Sequence, residues 1–215
     1  MKKAIIWDLD GTILDTLDDL SNSVNYVLRA KGFSALDNQK IKMMLGNGIR
    51  SLMEKAVPDG LNNPDFEECF SMFKNHYKKH MDDNTAPYNG VVDLMKHLKT
   101  IGYKQAIVSN KIDSAVQKLV EKYYSFVDIA IGENQGMAKK PSPDMVNEVL
   151  TRLGVSADDA VYVGDSEVDL ETAQNSGLDC ISVAWGFRNK EFLLDKGAKH
   201  IIDLPKELVK VLAEM

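Results

Sequence analysis

Ala4-Ile5-Ile6-Trp7-Asp8-Leu9-Asp10-Gly11-Thr12 decides how the rest of the chain is read. Four apolar residues run into two aspartates one residue apart. A run such as Ala4-Ile5-Ile6-Trp7 predicts a strand of a parallel sheet covered on both faces. Asp8 and Asp10 then stand at its carboxyl end, which in open α/β sheets faces the ligand crevice. Close carboxylates repel each other, and each loses solvation when buried. Such a pair is held most cheaply with a cation or a proton between its members. The plainer alternative is a strand ending in a polar loop, with Asp10-Gly11 as its turn. The remaining residues decide between the two.

Residues 16–81 carry four helical patterns and no strand signal. Leu17, Leu20, Val24, Val27 and Leu28 recur at helical spacing, with Asp15 or Thr16 as cap. Residues 38–45 and 49–57 form two shorter patterns separated by Gly46-Asn47-Gly48. A fourth starts at Asn63-Pro64, with Phe66, Cys69, Phe70, Phe73 and Tyr77 as its stripe. From residue 91 helices alternate with strands, the strands predicted at 105–108, 126–131, 160–163, 180–184 and 200–202. This alternation predicts an α/β fold: a Rossmann-like parallel sheet with helices on both faces. The expected division is a catalytic core domain of residues 1–15 and 83–215 and an inserted all-helical cap domain of residues 16–82. The insert leaves from the same edge as Asp8 and Asp10, where it would serve as a movable lid.

The bulk properties fit this reading. The chain has 215 residues, enough for one domain carrying a smaller insert, and 44% hydrophobic with 27% charged residues is ordinary for a globular protein. A net charge of −6 argues against a nucleic-acid partner. Cys69 and Cys180 are too few and too far apart for a disulfide framework, which fits a reducing, cytoplasmic setting. Met1-Lys2-Lys3 is followed by only four apolar residues before Asp8, too short a run for a signal-peptide core. No apolar run has the length of a membrane helix.

Chemistry-bearing residues recur at the predicted strand ends: Asp8 and Asp10 after the first strand, Ser109 after the second, Asp165 and Asp169 after the fourth. Lys140 precedes a helix, with an arm long enough to reach the same crevice. Several carboxylates around one point suit a hard divalent cation such as Mg²⁺. A lysine and a hydroxyl beside it suit a phosphoryl group. A carboxylate can act as nucleophile, and a second can protonate the leaving group and later activate water.

Asp8-Leu9-Asp10-Gly11-Thr12, Val108-Ser109-Asn110, Lys140-Pro141-Ser142-Pro143 and Val163-Gly164-Asp165-Ser166-Glu167-Val168-Asp169 resemble, in order, the four motifs of the haloacid dehalogenase superfamily. The resemblance spans the whole chain, and the helical insert is similar to that superfamily's cap. It implies that Asp8 is the nucleophile and a metal ligand. Asp10 is then the general acid/base, with its backbone carbonyl on the metal. Ser109 and Lys140 hold the phosphoryl oxygens, and Gly11, Thr12 and Asn110 in the same motifs are further phosphate-binding positions. Asp165 is the other metal ligand, Mg²⁺ the cofactor, and Asp169 orients the metal's waters or Lys140. An aspartate at position 10 favours phosphoryl transfer over dehalogenation.

Gly46-Asn47-Gly48-Ile49-Arg50, Thr85-Ala86-Pro87-Tyr88-Asn89-Gly90 and Ser109-Asn110-Lys111 look like the phosphoglycolate phosphatase group. Ala184-Trp185-Gly186-Phe187 is similar to that group's last motif, with Trp185 in place of its more familiar aromatic. The expected function is hydrolysis of a small phosphorylated metabolite such as phosphoglycolate. Alternatives on the same core are a pyrophosphatase and a sugar phosphomutase; intact Asp8, Asp10, Lys140 and Asp165 argue against a non-catalytic binding module. Monomer and dimer stay open. Arg50 is read either as a surface arginine or as a contact to a substrate carboxylate or phosphate. His76 and His80, four apart, have zinc-ligand spacing but no evident third ligand.

Overall fold

The structure is a computed structural model that describes residues 2–134 and 136–215. Its elements run β1 (Ala4–Trp7), β2 (Leu14–Asp15), α1 (Leu17–Ala30), α2 (Asn38–Met44), α3 (Gly48–Ala56), α4 (Phe66–His80), β3 (Ala86–Pro87) and α5 (Val91–Thr100). Then follow β4 (Lys104–Ile112), α6 (Asp113–Tyr123), β5 (Ile129–Glu133), α7 (Asp144–Leu153) and β6 (Ala160–Gly164). The chain closes with α8 (Glu167–Asn175), β7 (Asp179–Val183), α9 (Lys190–Asp195), β8 (His200–Ile202) and α10 (Leu208–Ala213). Two compact units emerge, Met1–Leu14 with Pro87–Met215, and Asp15–Ala86. No helix among the described residues is long and apolar enough to cross a membrane.

The first unit is built on a sheet of six strands in the order β5-β4-β1-β6-β7-β8, with every pairing parallel. From β1 the chain builds outward through β4 and β5, then returns to the other side of β1 for β6, β7 and β8. The sheet therefore reverses direction at β1, which places the ligand crevice at its carboxyl end. Ile5 and Trp7 pack with Leu94, Leu98, Val116 and Leu119 of α5 and α6, while Ala4 and Ile6 pack with Val146, Val149 and Ala173 of α7 and α8. Side chains alternate along a strand, so a run buried at every position needs a cover on both faces. The Trp7 indole donates to Gln105 Oε1 at 3.1 Å, and Gln105 Nε2 donates to Met95 O at 2.7 Å.

Several boundaries differ from those expected. The strand expected at 105–108 continues through Ser109, Asn110 and Lys111 to Ile112, with a register shift against β5. Its polar residues looked like a strand end because the side chains serve Asp10 and Lys140 rather than solvent. The strand expected at 126–131 lies at Ile129–Glu133. Phe126 and Val127 earn their apolar character from a turn packed on the core, with Val127 N bonded to Tyr124 O at 3.0 Å. The fourth helix starts at Phe66, after Asn63 Oδ1 has accepted the Asp65 amide at 2.9 Å. The periodicity did not single out α9, a short helix capped by the Asn189 side chain, which accepts from Phe192 N at 2.9 Å.

The second unit holds α1 to α4. Amphipathic α1 buries Leu20, Val24, Val27 and Leu28, and α4 buries Phe66, Cys69, Phe73 and Tyr77. Tyr26 stacks on His76 at 4.1 Å, and Ser23 Oγ lies 3.0 Å from His76 Nδ1. His76 and His80 stack on each other at 4.4 Å, and the second ring reaches Asp83 at 2.8 Å. The pair is thus a face of stacked rings. Asp19, in the first turn of α1, is 1% exposed and accepts from Asn84 N and Nδ2 and from Thr85 N and Oγ1 at 2.8–3.1 Å.

Those bonds close the returning segment onto the first helix. Asp19→Ala leaves buried donors unsatisfied at about 1–3 kcal/mol each, partly relieved by water. It is expected to destabilise the protein by about 3 kcal/mol in chemical denaturation; a loss under 0.5 kcal/mol would contradict the assignment.

Candidate active site

Asp8 follows β1 directly, and its amide donates to Val163 O at 2.9 Å, which extends the sheet contact by one residue. Its carboxylate is buried, and Oδ1 accepts from Lys140 Nζ at 2.6 Å. Lys140 reaches this point from the loop before α7. Asn110 on β4 grips its backbone twice: Oδ1 accepts the Lys140 amide at 2.8 Å, and Nδ2 donates to Lys140 O at 3.0 Å. The Lys140 ammonium also donates to Asp169 Oδ1 at 2.8 Å and to Tyr162 Oη at 3.0 Å. All three of its donors are used, which is what a buried ammonium requires.

Asp169 lies on α8 and acts as a hub. Its Oδ2 accepts from Ser166 Oγ at 2.6 Å, from Ser166 N at 3.1 Å and from Asp165 N at 3.2 Å. Its Oδ1 accepts from Lys140 and from Tyr162 Oη, the latter at 3.2 Å. Asp169 therefore organises its neighbours rather than presenting a bare oxygen. Asp165, 1% exposed, accepts from Phe187 N on Oδ2 at 2.6 Å and from Thr12 Oγ1 on Oδ1 at 3.2 Å. Gly11 turns the chain under it with φ +89°, where an added Cβ would fall 2.5 Å from Asp165 Oδ2. Glycine is required there for both reasons.

Asp10 points to a different partner: its Oδ1 accepts from Lys111 Nζ at 2.8 Å. Ser109, 2% exposed, sits on the same strand, and its Oγ accepts the Lys111 amide at 3.2 Å. Thus Asp8, Asp10, Gly11, Thr12, Ser109, Asn110, Lys140, Asp165 and Asp169 all lie in the first unit, linked by bonds around the carboxyl ends of β1, β4 and β6. Arg50 lies in the second unit. Its guanidinium bonds Glu67 and rests over the Phe66 and Phe70 rings at 5.1 and 5.2 Å from their centroids.

Four further side chains, Lys111, Tyr162, Glu167 and Arg188, take part in the bonding of this region. Lys111 could have been found from period-two alternation, which puts it on the face of Ser109. Tyr162 was hidden inside the apolar run of β6. The Glu167–Arg188 pair, whose side chains bond at 2.7 and 2.9 Å, joins residues 21 apart, beyond any local pattern.

The four carboxylates Asp8, Asp10, Asp165 and Asp169 face two ammoniums, Lys111 and Lys140, so with all four ionised two negative charges are left over. Burial, with Asp169 close by, raises the Asp8 pKa from 3.8 to about 7 even against the opposing pull of Lys140. Burial, with Asp169 and Asp8, lifts Asp165 well above the ordinary carboxylate range. Burial opposes the charge on Lys140, yet Asp169 and Asp8 more than reverse this and raise its pKa. Ligand atoms of Asp8, Asp165 and Asp169 lie within 4.8 Å of one another. An all-oxygen donor set with two surplus negative charges fits a hard divalent cation such as Mg²⁺.

Residues 5–183 match the family model described as haloacid dehalogenase-like hydrolase. The chain is similar to the phosphoglycolate phosphatase of Mesorhizobium japonicum, 30% identical over 215 residues that cover 96% of this chain and 94% of that one. It is also similar to the N-acetylmuramic acid 6-phosphate phosphatase of Pseudomonas aeruginosa, 26% identical over 98% of this chain and 94% of that one. A crystal structure from Lactobacillus delbrueckii subsp. bulgaricus, provisionally assigned as a phosphoglycolate phosphatase, shares 38% identity with a TM-score of 0.94 over 99% of each chain.

The raised carboxyl pKa values set the pH dependence of the metal-free protein. A carboxyl with a folded pKa above its unfolded value stabilises the fold while protonated. For Asp8 that contribution is full below 3.8 and is lost as pH rises through about 7. Asp165 acts in the same direction. The raised Lys140 value affects stability only above its ordinary pKa of 10.5, outside this window. In chelator, the melting temperature is therefore expected to fall between about pH 5 and about pH 8, and Mg²⁺ should flatten that fall. Thermal melts with and without Mg²⁺ check this; superimposable curves would contradict it.

Proposed function

Since the chain belongs to the haloacid dehalogenase-like hydrolase family and with it is a hydrolase of phosphoric monoesters, we propose that it is a Mg²⁺-dependent phosphatase. Its substrate is a small phosphomonoester, phosphoglycolate or a close analogue, and it works through an aspartyl-phosphate on Asp8. The observation that carries this reading is the buried Asp8 carboxylate at the end of the central strand. Lys140 ties down Oδ1, no described residue bonds Oδ2, and the second carboxylate, Asp10, stands two residues on.

In this reading one Asp8 oxygen attacks phosphorus while the bond from phosphorus to the leaving oxygen breaks. Asp10 gives its proton to that leaving alkoxide. In the second half Asp10 takes a proton from water, the water oxygen attacks phosphorus, and the bond to Asp8 breaks, which restores both carboxyl groups. Lys140 holds Asp8 in place and supplies positive charge beside the transferring group, to whose oxygens the Ser109 hydroxyl donates; Lys111 holds Asp10. Asp8 and Asp165, with the Asp10 carbonyl, would hold Mg²⁺, and Asp169 would orient them. When bound, the cation supplies the charge that lets an anionic nucleophile approach an anionic phosphoryl group. Gly11 shapes this floor by its close approach to Asp165, and Thr12 and Asn110 do so through the bonds described above.

Residues 1–15 and 83–215 are the catalytic core in this proposal, and residues 16–82 are the cap that selects the leaving group. Its support is the chain topology, since the helical insert follows the first catalytic loop directly. Arg50 belongs to that cap, where Glu67 already neutralises its charge.

Asp8→Asn is expected to abolish phosphate release in a folded protein, and chelation should do the same to the wild type until Mg²⁺ is restored. Asp10→Asn should cost about 10²–10⁴-fold on an alkyl phosphate and markedly less on nitrophenyl phosphate, whose leaving group needs little protonation. Phosphate release from a panel of phosphorylated metabolites, with phosphoglycolate and sugar phosphates side by side, names the substrate. A requirement for a sugar bisphosphate would point to a mutase, and turnover of pyrophosphate alone to a pyrophosphatase.

A further inference from the structure

The four residues after Ala184 each hold part of the floor beneath Asp165. The Trp185 indole donates from Nε1 to Thr12 O at 3.0 Å. A Cβ on Gly186 would fall 2.3 Å from Gly11 O and 2.4 Å from Asp165 Cβ, so only glycine lets these loops approach this closely. Phe187 N donates to Asp165 Oδ2 at 2.6 Å. Arg188, 3% exposed, donates from Nε and Nη2 to the two Glu167 oxygens at 2.7 and 2.9 Å, and its guanidinium lies 5.5 Å from the Phe192 ring centroid.

Both oxygens of Asp165 accept one bond, and each donor is held in turn by this segment. Thr12, which donates to Oδ1, has its carbonyl fixed by Trp185. Phe187, which donates to Oδ2, is the chain neighbour of Arg188. Glu167, the partner of Arg188, lies two residues beyond Asp165. A partly buried ion pair is weak evidence for stability, and its better-supported use is to fix geometry. A bidentate guanidinium–carboxylate pair fixes it more tightly than a point charge would.

We propose that Trp185–Arg188 is a strap that sets the orientation of the Asp165 carboxylate, with Trp185 and Arg188 as positioning residues at its two ends. Phenylalanine at 185 would fill the space of the indole but could not donate to Thr12. Lysine at 188 would keep the charge but lose the two-pronged grip. Partners that orient metal ligands from outside typically affect metal affinity 10–100-fold. The effect on Mg²⁺ rests on the reading that Asp165 is a ligand; the strap itself rests on the bonds alone.

Two readouts separate these. Calorimetric titration of Mg²⁺ onto the full-length wild type, Trp185→Phe and Arg188→Lys measures the metal. Hydrogen exchange at the Phe187 amide in the metal-free proteins measures the strap, with the Ile6 amide of the central strand as internal reference. Each variant is expected to fold, to bind Mg²⁺ about tenfold more weakly and to exchange Phe187 faster while Ile6 is unchanged. Glu167→Gln should reproduce the Arg188→Lys result and replaces it should that variant fail to fold. Folded variants with wild-type Mg²⁺ affinity would overturn the proposal even if Phe187 exchanged faster, because Asp165 would then be oriented without the strap. A wild type that binds no Mg²⁺ would remove the metal reading, and Phe187 exchange alone would then decide the strap: faster exchange supports it, unchanged exchange refutes it.

Discussion

A single ammonium buried among carboxylates sets the terms for the first unit. Lys140 Nζ meets Asp8, Asp169 and the Tyr162 hydroxyl, so three strands or helices converge on one charge. Charges at this depth are tolerated only when every donor has a partner. That requirement explains why Asn110, a polar residue within a strand, is buried: both ends of its amide hold the Lys140 backbone. It also explains the load on Asp169, whose second oxygen accepts the Ser166 hydroxyl and two amides at the start of α8. The helix start, the strand end and the lysine are thereby locked into one geometry.

The same arrangement is deliberately short of positive charge. Lys111 is committed to Asp10, and Lys140 cannot neutralise both Asp8 and Asp169. Asp165 adds a further buried carboxylate whose oxygens accept only from a hydroxyl and a backbone amide. Pre-placed negative charge in a low-dielectric floor is costly to the fold, and a divalent cation relieves that cost most directly.

The helical unit obeys different physics. Its stability comes from the amphipathic faces of α1 and α4 and from Asp19, which gathers the amides and side chains of residues 84 and 85. Arg50, which the sequence leaves open as a surface arginine or a substrate contact, rests on two phenylalanines and pairs with Glu67, so its first obligations lie within its own unit.

What could be read from residue order was whatever depends on local periodicity and strand ends. The buried run Ala4–Trp7 required cover on both faces, and the alternation after residue 91 implied crossovers in a parallel sheet. Asp8, Asp10, Asp165, Asp169 and Lys140 stood out because predicted carboxyl ends of parallel strands converge on one crevice and because their segments resemble four ordered motifs. Ser109, Asn110 and Lys111 misled in one respect, since polarity in a strand suggests its end when partners lie across the sheet. Pairings of distant residues had no local signature: Lys111 with Asp10, Tyr162 with Lys140 and Arg188 with Glu167 are separated by 101, 22 and 21 positions. Whether a polar group is a site, a strut or a surface depends on which partner the fold delivers to it, and that is fixed only when strands far apart in sequence become neighbours in the sheet.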